Sequence, residues 1–225
     1  MEYLNREGDQ KLSTILPLRM RLILLGVMMA LAVIDTVLAK SSFILPFNRA
    51  VFSMVYGLRL ELPWLTNPMI LVTLFGSDPV LLAFVVVLVL RYRRIWGSRE
   101  ATVFMLAAII GRITVTVAKA LVQLPRPSLI EPPPPFYFSG YGYPSGHALL
   151  SMVVLGGAAL LAIRHGKTAA GRRIAVAACV SLILAIGVSR VYLGAHWAND
   201  VVGGYLYGIC ILLVAELARK MWINR

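Results

Sequence analysis

The sequence predicts an all-α polytopic membrane protein. It would be a bundle of six transmembrane helices, with an amphipathic segment lying on the outer surface between spans one and two. Three observations lead there. Of 225 residues, 59% are hydrophobic and only 14% charged, and the mean hydropathy is +0.80, so too few polar residues exist to cover a soluble domain of this length. The apolar runs are long and continuous, each near the ~20 residues a bilayer demands, where a barrel would show short alternating strands. The basic residues gather between alternate runs, as they do when every second loop is cytoplasmic.

Residues 1–21 read as a cytoplasmic N-terminal segment, and no cleavable signal peptide is evident. Span one is 22–38, flanked by Arg19 and Arg21, with Asp35 near its far end. In 40–65, Phe43, Phe47, Val51, Phe52, Val55 and Tyr56 recur at near-helical spacing among Asn48, Arg49 and Ser53, which suits a surface helix; Trp64 would sit near the interface. Span two, 68–90, is interrupted by Gly76, Ser77, Asp78 and Pro79 and is the least regular. Span three, 101–121, contains Arg112. A Pro-rich loop precedes span four, 147–163; spans five and six are 174–191 and 197–217. Residues 22–217 thus form one domain, followed by a cytoplasmic tail, 218–225.

The formal charge of +12 invites a nucleic-acid partner, but the basic residues form no contiguous stripe or aromatic-interleaved patch. They fall into four clusters, at Arg6, Lys11, Arg19 and Arg21, at Arg91, Arg93, Arg94 and Arg99, at Arg164, Lys167, Arg172 and Arg173, and at Arg219, Lys220 and Arg225. With six spans all four lie on one side, the cytoplasmic one, leaving Lys40, Arg49 and Arg59 outside. Both termini are then cytoplasmic, and the chemistry faces outward, to the periplasm if the chain lies in a bacterial inner membrane. Cys179 and Cys210 sit inside apolar runs as packing residues, and neither a disulfide nor a metal site follows from them.

Three stretches at the outer face can carry chemistry. The first runs from Lys119 to Arg126 and Pro127, where Pro125 breaks the helix and projects Arg126 into the loop; both cations could equally be snorkelling interface anchors. In the second, Tyr143-Pro144-Ser145-Gly146-His147, Ser145 or Gly146 can cap a helix whose free N–H groups face an anion, with His147 beside the same pocket. An ordinary helix start with an interfacial histidine would look similar. The third is Ser189-Arg190 followed by His196 and Asp200. Arg190 offers a fork of donors for phosphate oxygens. If the chain is helical from about Gly194, His196 and Asp200 share a face at i and i+4, and Asp200 can orient the imidazole as base or nucleophile.

Together these motifs resemble the three-part signature of the type 2 phosphatidic acid phosphatase superfamily. Lys119, Arg126 and Pro127 match its Lys, six residues, Arg-Pro; Pro144 to His147 match its Pro-Ser-Gly-His; Ser189, Arg190, His196 and Asp200 match its Ser-Arg, five residues, His, three residues, Asp. The resemblance implies an integral-membrane lipid phosphatase in which His196 attacks phosphorus and forms a phosphohistidine, oriented by Asp200. His147 would protonate the leaving group and later activate water, while Lys119, Arg126, Arg190, Ser145 and the Gly146 amide bind phosphate. It implies no cofactor and no metal, and three fixed cations are chemically sufficient for charge neutralisation. The implied partners are membrane lipids and a lipid phosphate or diphosphate such as undecaprenyl diphosphate, phosphatidylglycerol phosphate or phosphatidic acid. A lipid A phosphatase or a lipid phosphotransferase is the alternative within the enzyme class, and a catalytically idle lipid-binding or transport protein the alternative outside it. Vanadium haloperoxidases share the motifs but are soluble.

Four features stand outside the motifs. Asp78 and Arg112 are ionisable groups within spans at similar depth, which either pair with each other or make independent water or backbone contacts. His165 reads as a surface histidine of a cytoplasmic loop. The loop 132–143, with Phe136, Tyr137, Phe138, Tyr141 and Tyr143, suits an interfacial aromatic belt or a lid. Gly156 and Gly157 permit close helix contact. Headgroup preference, tail preference and oligomeric state leave no mark in the sequence.

Overall fold

The structure is a computed structural model that describes residues 17–96, 98–127 and 138–223. Among these described residues eight helices follow in order: α1 (Leu18–Ala39), α2 (Leu45–Glu61), α3 (Thr66–Phe75), α4 (Asp78–Trp96), α5 (Ser98–Val122), α6 (Gly146–His165), α7 (Ala169–Tyr192) and α8 (Ala198–Ile223), with short 3₁₀ turns at Ser42–Ile44 and Pro63–Leu65. No strand occurs among the described residues. Five helices, α1 and α5 to α8, are long and apolar enough to cross a bilayer. The pair Pro63–Phe75 and Asp78–Leu90, bent by 48°, is long and apolar enough to cross when taken together, and makes the number six if it is counted as one broken span. The interruption seen in the sequence is thus a real break: Gly76 and Ser77 donate to the carbonyls of Thr73 and Leu74, and Pro79 cannot continue the ladder.

α6 is the central element and packs against α5, α7 and α8. Leu149, Val153, Ala148 and Ser151 on α6 are fully buried, whereas α1 buries only Arg21 and Ala32 and turns its apolar surface outward. The close approach of α8 to α6 depends on Gly204 and Gly208, four residues apart, a spacing that lets helix backbones meet without side chains between them. A β-carbon on Gly204 would lie 2.7 Å from the Ser145 carbonyl and 2.9 Å from Ala148 Cβ. Gly204→Ala is therefore expected to cost about 1–3 kcal/mol of stability by overpacking. A thermal midpoint in detergent equal to wild type would contradict this. Gly156 and Gly157 do make the close contacts expected of them, against Leu212 of α8 and Phe104 of α5.

Four sequence expectations change. His165 is no loop histidine: it ends α6 and its Nε2 lies 2.7 Å from Glu100 Oε2. It belongs to a buried cluster in which Arg164 bonds both Glu100 and Glu216, with Arg219 alongside. That cluster draws Arg219 into α8, which continues to Ile223 where a tail was expected from 218. Tyr143 belongs to no aromatic belt. It is fully buried, donating to Asp35 Oδ2 at 2.8 Å and sharing Thr36 Oγ1 with Tyr207. Finally α8 begins at Ala198, so His196 precedes the helix instead of lying on it. Asp78 and Arg112 do pair: Arg112 Nε lies 2.9 Å from Asp78 Oδ2.

α2 is the amphipathic segment. It is tied to the bundle by two buried asparagines: Asn48 Nδ2 donates to Asn199 Oδ1 at 2.6 Å, and the Asn199 amide returns to Asn48 Oδ1. Phe52 meets Trp197 edge-on at 5.7 Å, so the surface helix is anchored on the turn that carries His196. Residues 1–16 and 128–137, hence Arg6, Lys11, Pro132 to Pro135, Phe136 and Tyr137, lie outside the described residues.

Candidate active site

The ends of α5, α6, α7 and α8 converge at one end of the bundle. α5 stops at Val122 because Gln123 adopts a left-handed conformation, φ 56°, and Pro125 follows. Arg126 is thereby swung over the site. Its Nε donates to the carbonyls of Ser139 and Gly140, at 3.2 and 3.1 Å, and its Nη1 to the Ala195 carbonyl at 2.7 Å. One turn before the helix end, Lys119 Nζ donates to the carbonyls of Tyr141 and Gly142. Ser145 is the N-cap of α6, its Oγ accepting from the Ala148 amide at 3.5 Å, and its own amide donates to the Asp200 carbonyl at 2.8 Å. The first turn of α6 is thus pinned to the first turn of α8.

His147 follows at the start of α6, its ring against Gly76 at the α3–α4 break, where a β-carbon would come within 3.2 Å of the ring. Arg190, in the last turn of α7, is 5% exposed and donates through Nη1 to Thr73 Oγ1 at 2.7 Å. After it the chain reverses at Gly194, whose φ of 73° is costly for any residue with a β-carbon. The Ala195 and His196 amides both return to the Arg190 carbonyl. This turn brings His196 back beside Arg126.

His196 is 2% exposed. Nδ1 lies 3.2 Å from Asp200 Oδ2, and Nε2 lies 3.2 Å from Arg126 Nη1. A guanidinium only donates, so Nε2 must be the accepting nitrogen and Nδ1 carries the proton toward Asp200. The same Asp200 oxygen accepts from the Trp197 amide at 3.0 Å. This fixes the carboxylate and, through it, the ring plane. The geometry therefore leaves a basic nitrogen turned toward a ring of cations, an arrangement suited to an anion arriving at Nε2.

Burial first, and then the charges of Arg190, Arg126, Lys119 and His147, hold His196 well below the usual imidazole range. Burial likewise raises the Tyr143 phenol and keeps it neutral. For His196 the folded pKa lies below the unfolded value of about 6.5. Between the two, the unfolded chain binds a proton that the folded chain refuses, so stability falls as pH drops below about 6.5. Thermal midpoints in detergent are expected to fall more steeply with acid for wild type than for His196→Gln, by up to about 1.4 kcal/mol per pH unit. Parallel curves would show that the imidazole is not held neutral.

All the residues singled out in the motifs, Lys119, Arg126, Ser145, Gly146, His147, Arg190, His196 and Asp200, meet in this region. Three further participants lie outside the motifs. Thr73 holds Arg190, Gly76 makes room for the His147 ring, and Phe138 presents its ring to the guanidinium groups of Arg190 and Arg126 at 5.0 and 5.9 Å. The Gly76 interruption was a signal of close approach; nothing marked Thr73. Among the described residues, no group of three or more His, Cys, Asp or Glu side chains stands ready to hold a metal ion.

The sequence model of the PAP2 superfamily matches residues 100–223, more than half of the chain and all three motifs. The chain belongs to the PAP2 superfamily. This PAP2 protein is 27% identical over 158 residues to phosphatidylglycerophosphatase B of Bacillus subtilis, covering 68% of this chain and 75% of that one. It is 30% identical over 168 residues to an undecaprenyl-diphosphatase of Sulfolobus acidocaldarius, covering 72% and 73%. The fold resembles the crystal structure of a transmembrane PAP2 type phosphatidylglycerolphosphate phosphatase from Bacillus subtilis, with a TM-score of 0.78 at 21% identity over 88% of this chain and 96% of that one. LpxE of Aquifex aeolicus is similar with a TM-score of 0.59 at 22% identity, over 76% and 95%.

Proposed function

We propose that this PAP2 protein is an integral-membrane lipid phosphatase that releases phosphate from a lipid monophosphate or diphosphate at the outer face of the membrane. The observation that carries the reading is the orientation of His196, with Nδ1 on Asp200 and Nε2 facing Arg126. An entering phosphate takes the Arg126 donor for one of its oxygens and frees the Nε2 lone pair for attack in the same movement. Lys119 and Arg190 take further oxygens, with Ser145 and the Gly146 amide at the end of α6, so that transferring charge is met by fixed donors.

In the first step the Nε2–P bond forms as the bond from phosphorus to the lipid oxygen breaks, and His147 gives its proton to the departing alkoxide or phosphate. In the second step His147 takes a proton from water, whose oxygen attacks phosphorus. The N–P bond breaks, and inorganic phosphate leaves with His196 restored. The basic clusters support an outward-facing site, since the motifs lie at the opposite end of the spans. The relatives support phosphatidylglycerol phosphate or undecaprenyl diphosphate as the substrate to try first. The cation ring supports a reaction without a divalent ion.

The test is phosphate release by purified protein in detergent with excess chelator, from a panel of lipid phosphates compared by kcat/KM. Turnover that survives chelation is expected. Folded protein inactive on every lipid phosphate would sink the enzyme reading, and activity lost to chelator would sink the metal-free mechanism alone.

A further inference from the structure

Away from the active site, a cleft of about 450 Å³ lies between α1 and α5, with α8 as its floor. α1 and α5 each pack against α8 but hardly against each other, and the small side chains of Ala32, Ala107, Ala215 and Ala218 leave the gap open. Met29 and Val33 of α1, Ile110 of α5 and Val214 of α8 line it half-exposed. No charged side chain is among the described residues that line it. Along α8 the lining runs from Tyr207 to Trp222, about 22 Å at the helical rise, more than the ~15 Å of hydrocarbon in one leaflet. An acyl chain fits that length.

At the end of the bundle opposite the motifs the character of the cleft reverses. On α5, Arg99, Val103, Leu106 and Ile110 follow one another at three- or four-residue steps and so share a face. Arg21, Leu25, Met29 and Ala32 do the same on α1. Each wall thus carries an arginine one turn beyond its apolar lining. Arg99 is exposed, and its Nη1 donates to the carbonyl of Trp222 at 3.0 Å. Trp222 itself lines the cleft, so this bond sets the guanidinium on the rim. The carboxylates of that end are engaged elsewhere: Glu100 and Glu216 face Arg164, His165 and Arg219. From rim to depth the order is cation, tryptophan, hydrocarbon.

We infer that this cleft binds one anionic phospholipid of the leaflet opposite the active site, its chain between α1 and α5 and its phosphodiester at Arg99. Arg21 adds positive charge at the same rim. A guanidinium suits phosphate oxygens, and basic groups between spans favour anionic headgroups. A neutral phospholipid with the same chains gains the apolar contacts alone. The lipid has a structural use. α1 buries only Arg21 and Ala32, yet its Asp35 and Thr36 hold Tyr143, two residues before Ser145. A chain wedged against α1 supplies packing that the helix lacks, so the ligand stabilises the fold. None of this depends on the phosphatase reading.

The test titrates delipidated full-length protein in detergent with dioleoyl phosphatidylglycerol or dioleoyl phosphatidylcholine and follows the thermal midpoint. The anionic lipid is expected to raise the midpoint further and at lower concentration. Its half-saturating concentration should rise about fivefold in Arg99→Gln and stay near wild type in Arg99→Lys, which keeps the charge. Ile109 and Ile110 are neighbours on α5, 47% and 49% exposed, and only Ile110 lines this cleft. Ile110→Trp should weaken binding about tenfold by filling the cleft, with Ile109→Trp within about twofold of wild type. Equal shifts by the two lipids, an unchanged titration in Arg99→Gln, or an equal loss in Ile109→Trp overturns the assignment. So does a shift lost in Arg126→Gln and kept in Arg99→Gln, which puts the lipid in the active site. Light scattering on the same samples covers the remaining occupant: a wild-type dimer that Ile110→Trp converts to monomer gives the cleft to a second copy of the chain and overturns the lipid.

Discussion

Replacing His196 with alanine is expected to lower phosphate release by about 10⁴-fold or more, because a covalent route disappears with its nucleophile and only binding and charge neutralisation remain. Asp200→Asn should cost less, about 10²–10⁴-fold. The Trp197 amide would still hold the side-chain oxygen in place to accept from Nδ1, but a neutral amide brings no charge to stabilise the imidazole as it becomes cationic on phosphorylation. The decisive readout is the intermediate. Wild-type protein quenched during turnover of a labelled phosphate ester should carry an acid-labile phosphoryl group, and His196→Ala should carry none. With a substrate whose leaving group needs no protonation, His147→Ala should accumulate the label, since the water of the second step then has no base. A His196→Ala protein within tenfold of wild type would remove the phosphohistidine from the mechanism.

The second large effect is on stability and lies at the opposite end of the bundle. Arg164→Ala is expected to cost about 3–5 kcal/mol, as happens when one partner of a buried ion cluster is removed and the others stay charged. Arg164 is 4% exposed and Glu100 5%; Glu216 is 13% exposed. Arg219 and His165 would remain to face the two carboxylates. Arg164 lies seventeen residues from His147 on the same helix, roughly 25 Å at the helical rise, so the folded fraction of the variant should keep the wild-type kcat. Thermal unfolding in detergent, with turnover normalised to folded protein, measures both. The double variant Arg164→Met with Glu100→Gln should recover part of the loss, because the remaining carboxylate, Glu216, keeps Arg219 as its partner at 3.5 Å. If Arg164→Ala melts with wild type, the cluster is not a lock between α5, α6 and α8.

The spans were legible because apolar length is a property of contiguous sequence. Boundaries at Val122 and Gly146 were signalled nearby by Pro125 and by Ser145 as a cap. The candidate site residues were legible for a different reason. Their spacing within each motif is short, and three motifs in order are specific even when each is weak. The residues around them were not legible. Thr73 meets Arg190 across 117 positions, Asn48 meets Asn199 across 151, and Tyr143 meets Asp35 across 108. A threonine, an asparagine or a tyrosine in an apolar run carries no local sign of which distant partner satisfies it. His165 was misread for that reason, since its partner Glu100 lies 65 residues away.

What the sequence by itself determined is therefore the all-α membrane bundle and the three motifs that supply the candidate site residues, both set by composition and short-range spacing. Only the tertiary structure decided that His196 precedes its helix, that Nε2 faces Arg126, and that Asp78 and Arg112 pair. Helix packing settles these relations: Gly204 and Gly208 let α8 close on α6, and the break at Gly76 and Ser77 lets α3 and α4 bend around His147. Such contacts depend on where whole helices lie, which no short stretch of sequence specifies.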